Sequence, residues 1–501
     1  MDNLNQLIIG FSIIFEPANL FYCFAGCLIG NLIGVLPGIG PSGAMAILLP
    51  ITYQATPVQA IIILAGIWYG SQYGGSITSI LVNIPGEAGT VVTCIDGYQM
   101  TRKGRSGPAL GISAFGSYIA GTFGVVALMF LAPPLVVFAL QFGPPEYFSL
   151  MCLGMSLLAF LTSASIIRAI MVICLGILIG SIGTDPISGS QRFTFGVFSL
   201  IDGIGIVPFV MGLFGISEVL LGLERSIEQQ SVVRQSMKEL FPTLQDWKRC
   251  TWPIIRGSIM GFFLGVLPGG GVVLASFVSY SIEKAISKTP QLFGTGIIEG
   301  VAAPESANNA AAQGCFIPLL SLGIPSNSIT AILLGALLIH GVTPGPLLLI
   351  NHPNVFWGVV ASMYVGNILL LILNVPMIGF WVKLLNVPYK ILTPLIIVFC
   401  LIGAYVLNSS SSDMIIMIVF GLIGYLFKKL NFETPIMVLA FVLGPMLEYY
   451  LKQTLFFSKG SFTIFLTRPI SAICIISSIV LLLLPLMPWF QKRRKILVSE
   501  V

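Results

Sequence analysis

Gly34-Val35-Leu36-Pro37-Gly38-Ile39-Gly40-Pro41-Ser42-Gly43 is the stretch on which the fold turns, and its first five residues recur as Gly265-Val266-Leu267-Pro268-Gly269, followed by Gly270 and Gly271. Each copy cuts a long apolar run with a helix breaker. Proline drives the residue before it out of the helical region, and glycine lets another backbone or a ligand come close. Backbone polar groups at membrane depth need partners, so an interrupted helix survives there only inside protein or beside a water-filled cavity. Two such breaks at matching places in two halves are the pattern expected of a secondary transporter's binding site.

The rest of the chain puts these breaks in a membrane. Of 501 residues, 56% are hydrophobic and 9% charged, and the mean hydropathy is +0.97. A soluble domain cannot hide that much apolar surface. Apolar stretches of ~20 residues predict an all-α polytopic membrane protein with about 12 transmembrane helices, which leaves no room for a soluble catalytic domain. The opening MDNLNQLIIGFS lacks the basic segment of a cleavable signal peptide. The nine cysteines are scattered and odd in number, as small apolar packing residues would be, rather than paired or metal-binding. The net charge of +5 sits in loops and in Lys492-Arg493-Arg494-Lys495, a run that reads as a cytoplasmic anchor and not as a nucleic-acid patch.

The chain reads as a duplication. Pro37 and Pro268 stand 231 positions apart (268 − 37), and so do Gly30 and Gly261 and Gly40 and Gly271. Asn83-Ile84-Pro85-Gly86 matches Gly323-Ile324-Pro325-Ser326 at a separation of 240 (325 − 85), which Thr90 and Thr330 share. The order is kept, with nine residues inserted between the two motifs of the second half. A hydrophilic segment, 224–249, separates a first repeat (1–223) from a second (250–501). The first Lys or Arg is Arg102, in Arg102-Lys103-Gly104-Arg105, whereas Lys248, Arg249 and Arg256 precede the second GVLPG. Basic loops stay cytoplasmic. The first broken segment is therefore expected to enter from outside and the second from inside, as inverted repeats with discontinuous helices and re-entrant hairpins.

Four regions concentrate breakers and small polar groups. In the first, Pro37, Gly38, Gly40 and Ser42 open a new half-helix whose free N–H groups and positive dipole end suit an anion. A tight glycine helix crossing is the bland alternative. In the second, Tyr69 to Ser79 reads as a packing face, but Asn83, Gly86 and Glu87 combine an amide, a break and an acid that suit a cation or a proton. The third, Pro268, Gly269 and Gly270, lacks a hydroxyl, since Val273 stands where Ser42 does. In the fourth, Glu305, Asn308 and Asn309 lie at helical spacings in an apolar stretch, and Pro325 is followed by Ser326, Asn327 and Ser328. A polar seam between helices is the alternative there. Arg168, Asp96 and Asp202 read as interfacial as easily as functional, and His340 and His352 as solvated loop residues.

GVLPGIGPSGA, YGGSITSILVNIPGE, GVLPGGG, APESANNAAAQG and LGIPS, in that order, resemble the large membrane subunit (TctA-type) of bacterial tripartite tricarboxylate transporters, over roughly residues 18–450. The resemblance implies a permease of the bacterial cytoplasmic (inner) membrane. Its expected partners are a small membrane subunit (TctB-type) and an extracytoplasmic solute-binding protein (TctC-type) that delivers a carboxylate. Uptake would be driven by an ion gradient, and no GxxxxGK[ST] phosphate loop occurs. The family norm at 325–327 is closer to Pro-Gly-Ser; this chain has Pro325-Ser326-Asn327.

The expected function is therefore ion-coupled di- or tricarboxylate uptake by alternating access. The carboxylates would meet Pro37, Gly38, Gly40, Ser42, Pro268, Gly269, Gly270, Asn308, Asn309, Pro325, Ser326, Asn327 and Ser328. Na⁺ or H⁺ would be held at Asn83, Gly86, Glu87 and Glu305. No cofactor, metal centre or nucleic acid is expected. An anion channel is the runner-up, but two non-identical halves suit alternating access better than a ring-like filter. An intramembrane enzyme is disfavoured by the absence of HExxH, GxGD and GxSxG.

Overall fold

The computed structural model describes residues 3–36, 40–161, 165–185, 187–224, 241–267, 271–384 and 389–484. The described residues are mostly helical, and among them one two-residue antiparallel ribbon pairs Gly183 with Arg192 and Thr184 with Gln191. Among the described residues, six helices are long and apolar enough to cross a membrane: Pro17–Val35, Ser106–Ala139, Ile206–Glu224, Pro353–Asn374, Ser411–Lys429 and Thr434–Phe457. Pro57–Val82 is longer than most of these, yet is rich in glycine and serine. Every residue from Ala60 to Val82 is buried. A helix enclosed by protein on all sides does not need a lipid-soluble surface.

Pro17–Val35 and Pro57–Val82 lie side by side and run parallel. Gly26, Gly30 and Gly34 face the carbonyl oxygens of Ile63, Ile67 and Ser71. A Cβ added at Gly30 would stand 2.3 Å from the Ile67 oxygen. Such contact brings the two backbones into van der Waals range and permits Cα–H···O contacts. Because the two helices are parallel, the chain between them must return to the side it came from. Gly40–Leu48 and the 3-10 turn Leu49–Gln54 make that return. Pro17–Val35 and the return helix thus form a helical hairpin. Thr56 then starts Pro57–Val82 with a capping box, exchanging hydrogen bonds with Gln59.

The same construction recurs in the second half. Gly257, Gly261 and Gly265 of Leu244–Val266 face the carbonyl oxygens of Ala303, Ala307 and Ala311 of Glu299–Gly314. The glycines are displaced by 231 from their counterparts and the carbonyls by 240, the two separations read from the sequence. Gly271–Ile286 is the second return helix. Gly40 (φ 65°) and Gly271 (φ 50°) both open their return helices in the left-handed region, which glycine enters at little cost. Leu244–Arg249, the tail of the segment expected to be a linker, forms the capped first turns of Leu244–Val266; residues 225–240 lie outside the described residues.

Where the halves meet, corresponding helices run antiparallel. Ser76 touches Glu305, Gln72 touches Asn308, and the Trp68 ring lies 5.2 Å from that of Phe316. Ion pairs Arg105–Asp246 (2.7 Å), Arg249–Glu299 (2.7 Å) and Arg256–Glu283 (2.6 Å) gather at one end of the bundle. The second hairpin begins at that end. The first begins beside Thr56, at the opposite end of Pro57–Val82.

Candidate substrate and ion sites

Each return helix meets a restarted helix of the other half. Gly40–Leu48 packs against Ser328–Ile339, and Ser42 Oγ lies 3.3 Å from Ser328 Oγ. Gly271–Ile286 packs against the Ala88–Thr90 turn that leads into Val91–Arg102. These contacts are related by the same 231 and 240 shifts, under which Ser42 corresponds to Val273 and Ser328 to Ala88. One meeting of helix starts thus carries two hydroxyls, and its twin carries two methyl-bearing side chains.

The hydroxyl-bearing site is built by the second break. Gly323 ends Phe316–Leu322 at φ 73°, and Asn327 restarts the helix by accepting the Thr330 N–H at 2.9 Å. Between them, Pro325 and Ser326 are buried, and Ser326 Oγ has no hydrogen-bond partner among the described residues. A buried hydroxyl without a partner is costly. The first break is its counterpart. Asn83 ends Pro57–Val82 at φ 56°, and Glu87 takes the place of Asn327 as the cap of the new turn. Gly86 admits no side chain, because a Cβ there would stand 2.0 Å from the Gly34 oxygen.

Glu87 is 6% exposed and well supplied with donors. Asn308 Nδ2 donates to Oε1 at 3.1 Å, and the Gln72 amide, turned so that its oxygen accepts from Trp68 Nε1, donates to the same atom at 2.6 Å. The backbone N–H groups of Gly89 and Thr90 also point to this carboxyl. Glu305, fully buried, accepts from Ser76 Oγ at 2.5 Å, Ser113 Oγ at 3.0 Å and the Thr93 hydroxyl. It therefore ties three helices of the first half to one of the second. Asn309 Nδ2 donates to Ser117 Oγ at 2.7 Å.

Residues 20–439 match the profile of the Tripartite tricarboxylate transporter TctA family. The chain belongs to that family. It is a multi-pass component of a transporter, and this TctA-family chain has relatives of high sequence identity. One, an uncharacterized 52.8 kDa protein in the TAR-I ttuC' 3' region of Agrobacterium vitis, is 48% identical over 501 residues and 100% of both chains. Another, in the TAR-II ttuC' 3' region of the same organism, is 50% identical over 234 residues, 47% of this chain and 97% of its own. No solved structure matches the chain.

On this TctA-family scaffold the expected site residues divide into two groups. Ser42 meets Ser328, with Gly40 at the start of the helix that carries Ser42 and Pro325, Ser326 and Asn327 in the break that precedes Ser328. Asn308 and Asn309 are instead engaged with Glu87 and Ser117, in a polar network that also holds Glu305. Pro37, Gly38, Pro268, Gly269 and Gly270 lie outside the described residues. Asn83 is an exposed helix end. Gln72 and Ser76 had read as packing residues, and Thr93, Ser113 and Ser117 went unnoticed because single hydroxyls in apolar helices are common. Ser113 and Ser117, one turn apart, were the available signal.

The weaker candidates are accounted for. Asp96 accepts from Tyr280 Oη and from the backbone N–H groups of Gly294, Gly296 and Ile297, which makes it a structural anchor for that loop. Arg168 lies over the Phe432 ring at a helix start. Asp202 lines a cavity of about 390 Å³ beneath the 183–192 ribbon. Asp185 and Glu448 each bridge Arg192 and Lys452 there, at 2.6–2.8 Å. The Lys452 hydrogen bond holds the Asp185 carboxyl well below the usual carboxylate range. His340 is a half-buried end of Ser328–Ile339, not a fully solvated loop residue.

Proposed function

We propose that this chain is the permease subunit of a three-component, binding-protein-dependent secondary transporter, and that it takes up di- or tricarboxylates by ion-coupled alternating access. The observation that carries the reading is the meeting of Gly40–Leu48 with Ser328–Ile339. Two helix starts from different halves, two facing hydroxyls and the unpaired Ser326 converge there. Free N–H groups and the positive ends of helix dipoles stabilise carboxylates without a fixed buried cation. The antiparallel pairing of corresponding helices, and hairpins that begin at opposite ends, support an inverted repeat. Rocking about such a repeat exposes a central site first to one side and then to the other.

The coupling ion, Na⁺ or H⁺, belongs at Glu305, a fully buried carboxyl among the hydroxyls of Ser76, Thr93 and Ser113. A small membrane subunit and an extracytoplasmic binding protein complete the system in the cytoplasmic membrane. The test is uptake of labelled citrate and succinate by vesicles carrying the three subunits. Ser42→Ala with Ser328→Ala should lower uptake at least tenfold, on the order of two hydrogen bonds to a charged ligand. Undiminished uptake at normal protein levels would remove this meeting point from the substrate path. Ion-independent flux only down a gradient would favour a channel.

A further inference from the structure

Two restarts after breaks, at Glu87 and at Asn327, stand 240 positions apart, and one of them carries a carboxyl of its own. The two are counterparts: Glu87 caps the 3-10 turn Ala88–Thr90 that leads into Val91–Arg102, and Asn327 caps Ser328–Ile339. Around Glu87 the chain assembles what a carboxylate site needs. The Asn308 and Gln72 amides and the N–H groups of Gly89 and Thr90 converge on a buried carboxyl. Around Asn327 the cap is a neutral amide and is only half-buried. It accepts the Thr330 N–H and makes a 3.4 Å contact to Cys315 Sγ. The groups beside it are hydroxyls: Ser328, Ser42 across a 3.3 Å contact, and Ser326 with its Oγ buried and unpaired.

We propose that Glu87 is a built-in stand-in for a substrate carboxylate, and that the neutrality of Asn327 is what leaves the twin position open for the substrate itself. This rests on the carboxylate-transport reading above. In the first half the chain's own acid satisfies the helix start, and Ala88 and Val273 need add nothing polar. In the second half the acid is missing, and Ser42, Ser326 and Ser328 wait for one. One molecule therefore offers one substrate position, despite its two equivalent breaks. Asn327 determines specificity by carrying no charge.

Aspartate and asparagine cap helix starts about equally well, so Asn327→Asp should fold while placing a negative charge where the substrate's must go. The experiment is thermal unfolding and equilibrium binding of the purified full-length protein with its small membrane subunit, using citrate and succinate as probes. The wild type is expected to bind and be stabilised by at least one of them. Asn327→Asp should bind it at least tenfold more weakly, and Asn327→Ser within about threefold of wild type. Wild-type affinity in Asn327→Asp overturns the inference while leaving carboxylate transport intact. Failure of the wild type to bind either probe, in the presence or absence of Na⁺, overturns both. In a second arm, formate at tens of millimolar should raise the unfolding temperature of Glu87→Ala and leave that of the wild type unchanged. A Glu87→Ala protein insensitive to formate would show that these donors do not form an anion site.

Discussion

At the scale of single residues, the buried polar side chains form two clusters, one around Glu87 and Glu305 and one around Ser42 and Ser328. Glu305 is held by hydroxyls from three helices and lies outside every ion pair among the described residues. An uncompensated carboxylate at that depth is expensive, so a cation or proton is expected to accompany it. Glu305→Gln keeps the shape and removes the charge. Citrate uptake by vesicles should then lose its dependence on the imposed Na⁺ or pH gradient, falling at least tenfold under a gradient. An unchanged ion profile would reassign Glu305 to structure. Asn83 makes a different case. Its left-handed backbone suits glycine or asparagine and strains other residues by roughly 1–2 kcal/mol. Asn83→Gly should therefore transport within about twofold of wild type, and Asn83→Val should lower the unfolding temperature.

At the scale of elements, the glycine ladders hold each hairpin to the broken helix beside it. A Cβ at Gly261 would stand 2.2 Å from the Ala307 oxygen, and backbone cannot step aside as a side chain can. Gly261→Leu should cost about 1–3 kcal/mol or more in packing, seen as a lower unfolding temperature and a smaller folded fraction in detergent. The 183–192 ribbon obeys other rules. Asp185 has its folded-state pKa depressed by Lys452, so its contribution is fully present above the unfolded value of about 3.9 and is lost only as pH falls through the lower folded value. Hydrogen exchange of the ribbon should therefore be unchanged between pH 5 and pH 8 after correction for intrinsic rates. Lys452→Gln should loosen it at both.

At the scale of the whole molecule, the expected inversion is a statement about which ends of the bundle the hairpins enter. In a cysteine-free background, a cysteine at Thr56 should react with an impermeant reagent from outside. One at Lys288 should react only from the cytoplasmic face. Labelling of both from the same face would end the inverted-repeat reading. Much of this architecture was legible beforehand. The 231 and 240 separations are the register of the two glycine ladders, whereas Pro37 and Pro268 lie outside the described residues. The site was legible only in part. Ser42 and Ser328 were each visible as hydroxyls near breaks, but nothing local says that they touch. Asn308 had seemed to belong with Ser326, and it binds Glu87 instead.

The chain alone determined that this is a membrane protein and that Gly30 and Gly34 recur 231 positions on as Gly261 and Gly265. Hydropathy, proline and glycine act on the backbone within a turn or two of where they stand, so their effect can be read in order. The tertiary structure alone decided which helix start faces which, and that one meeting carries Ser42 with Ser328 where its twin carries Val273 and Ala88. Ser42 and Ser328 stand 286 positions apart, and only the packing of one half against the other brings them within hydrogen-bonding reach.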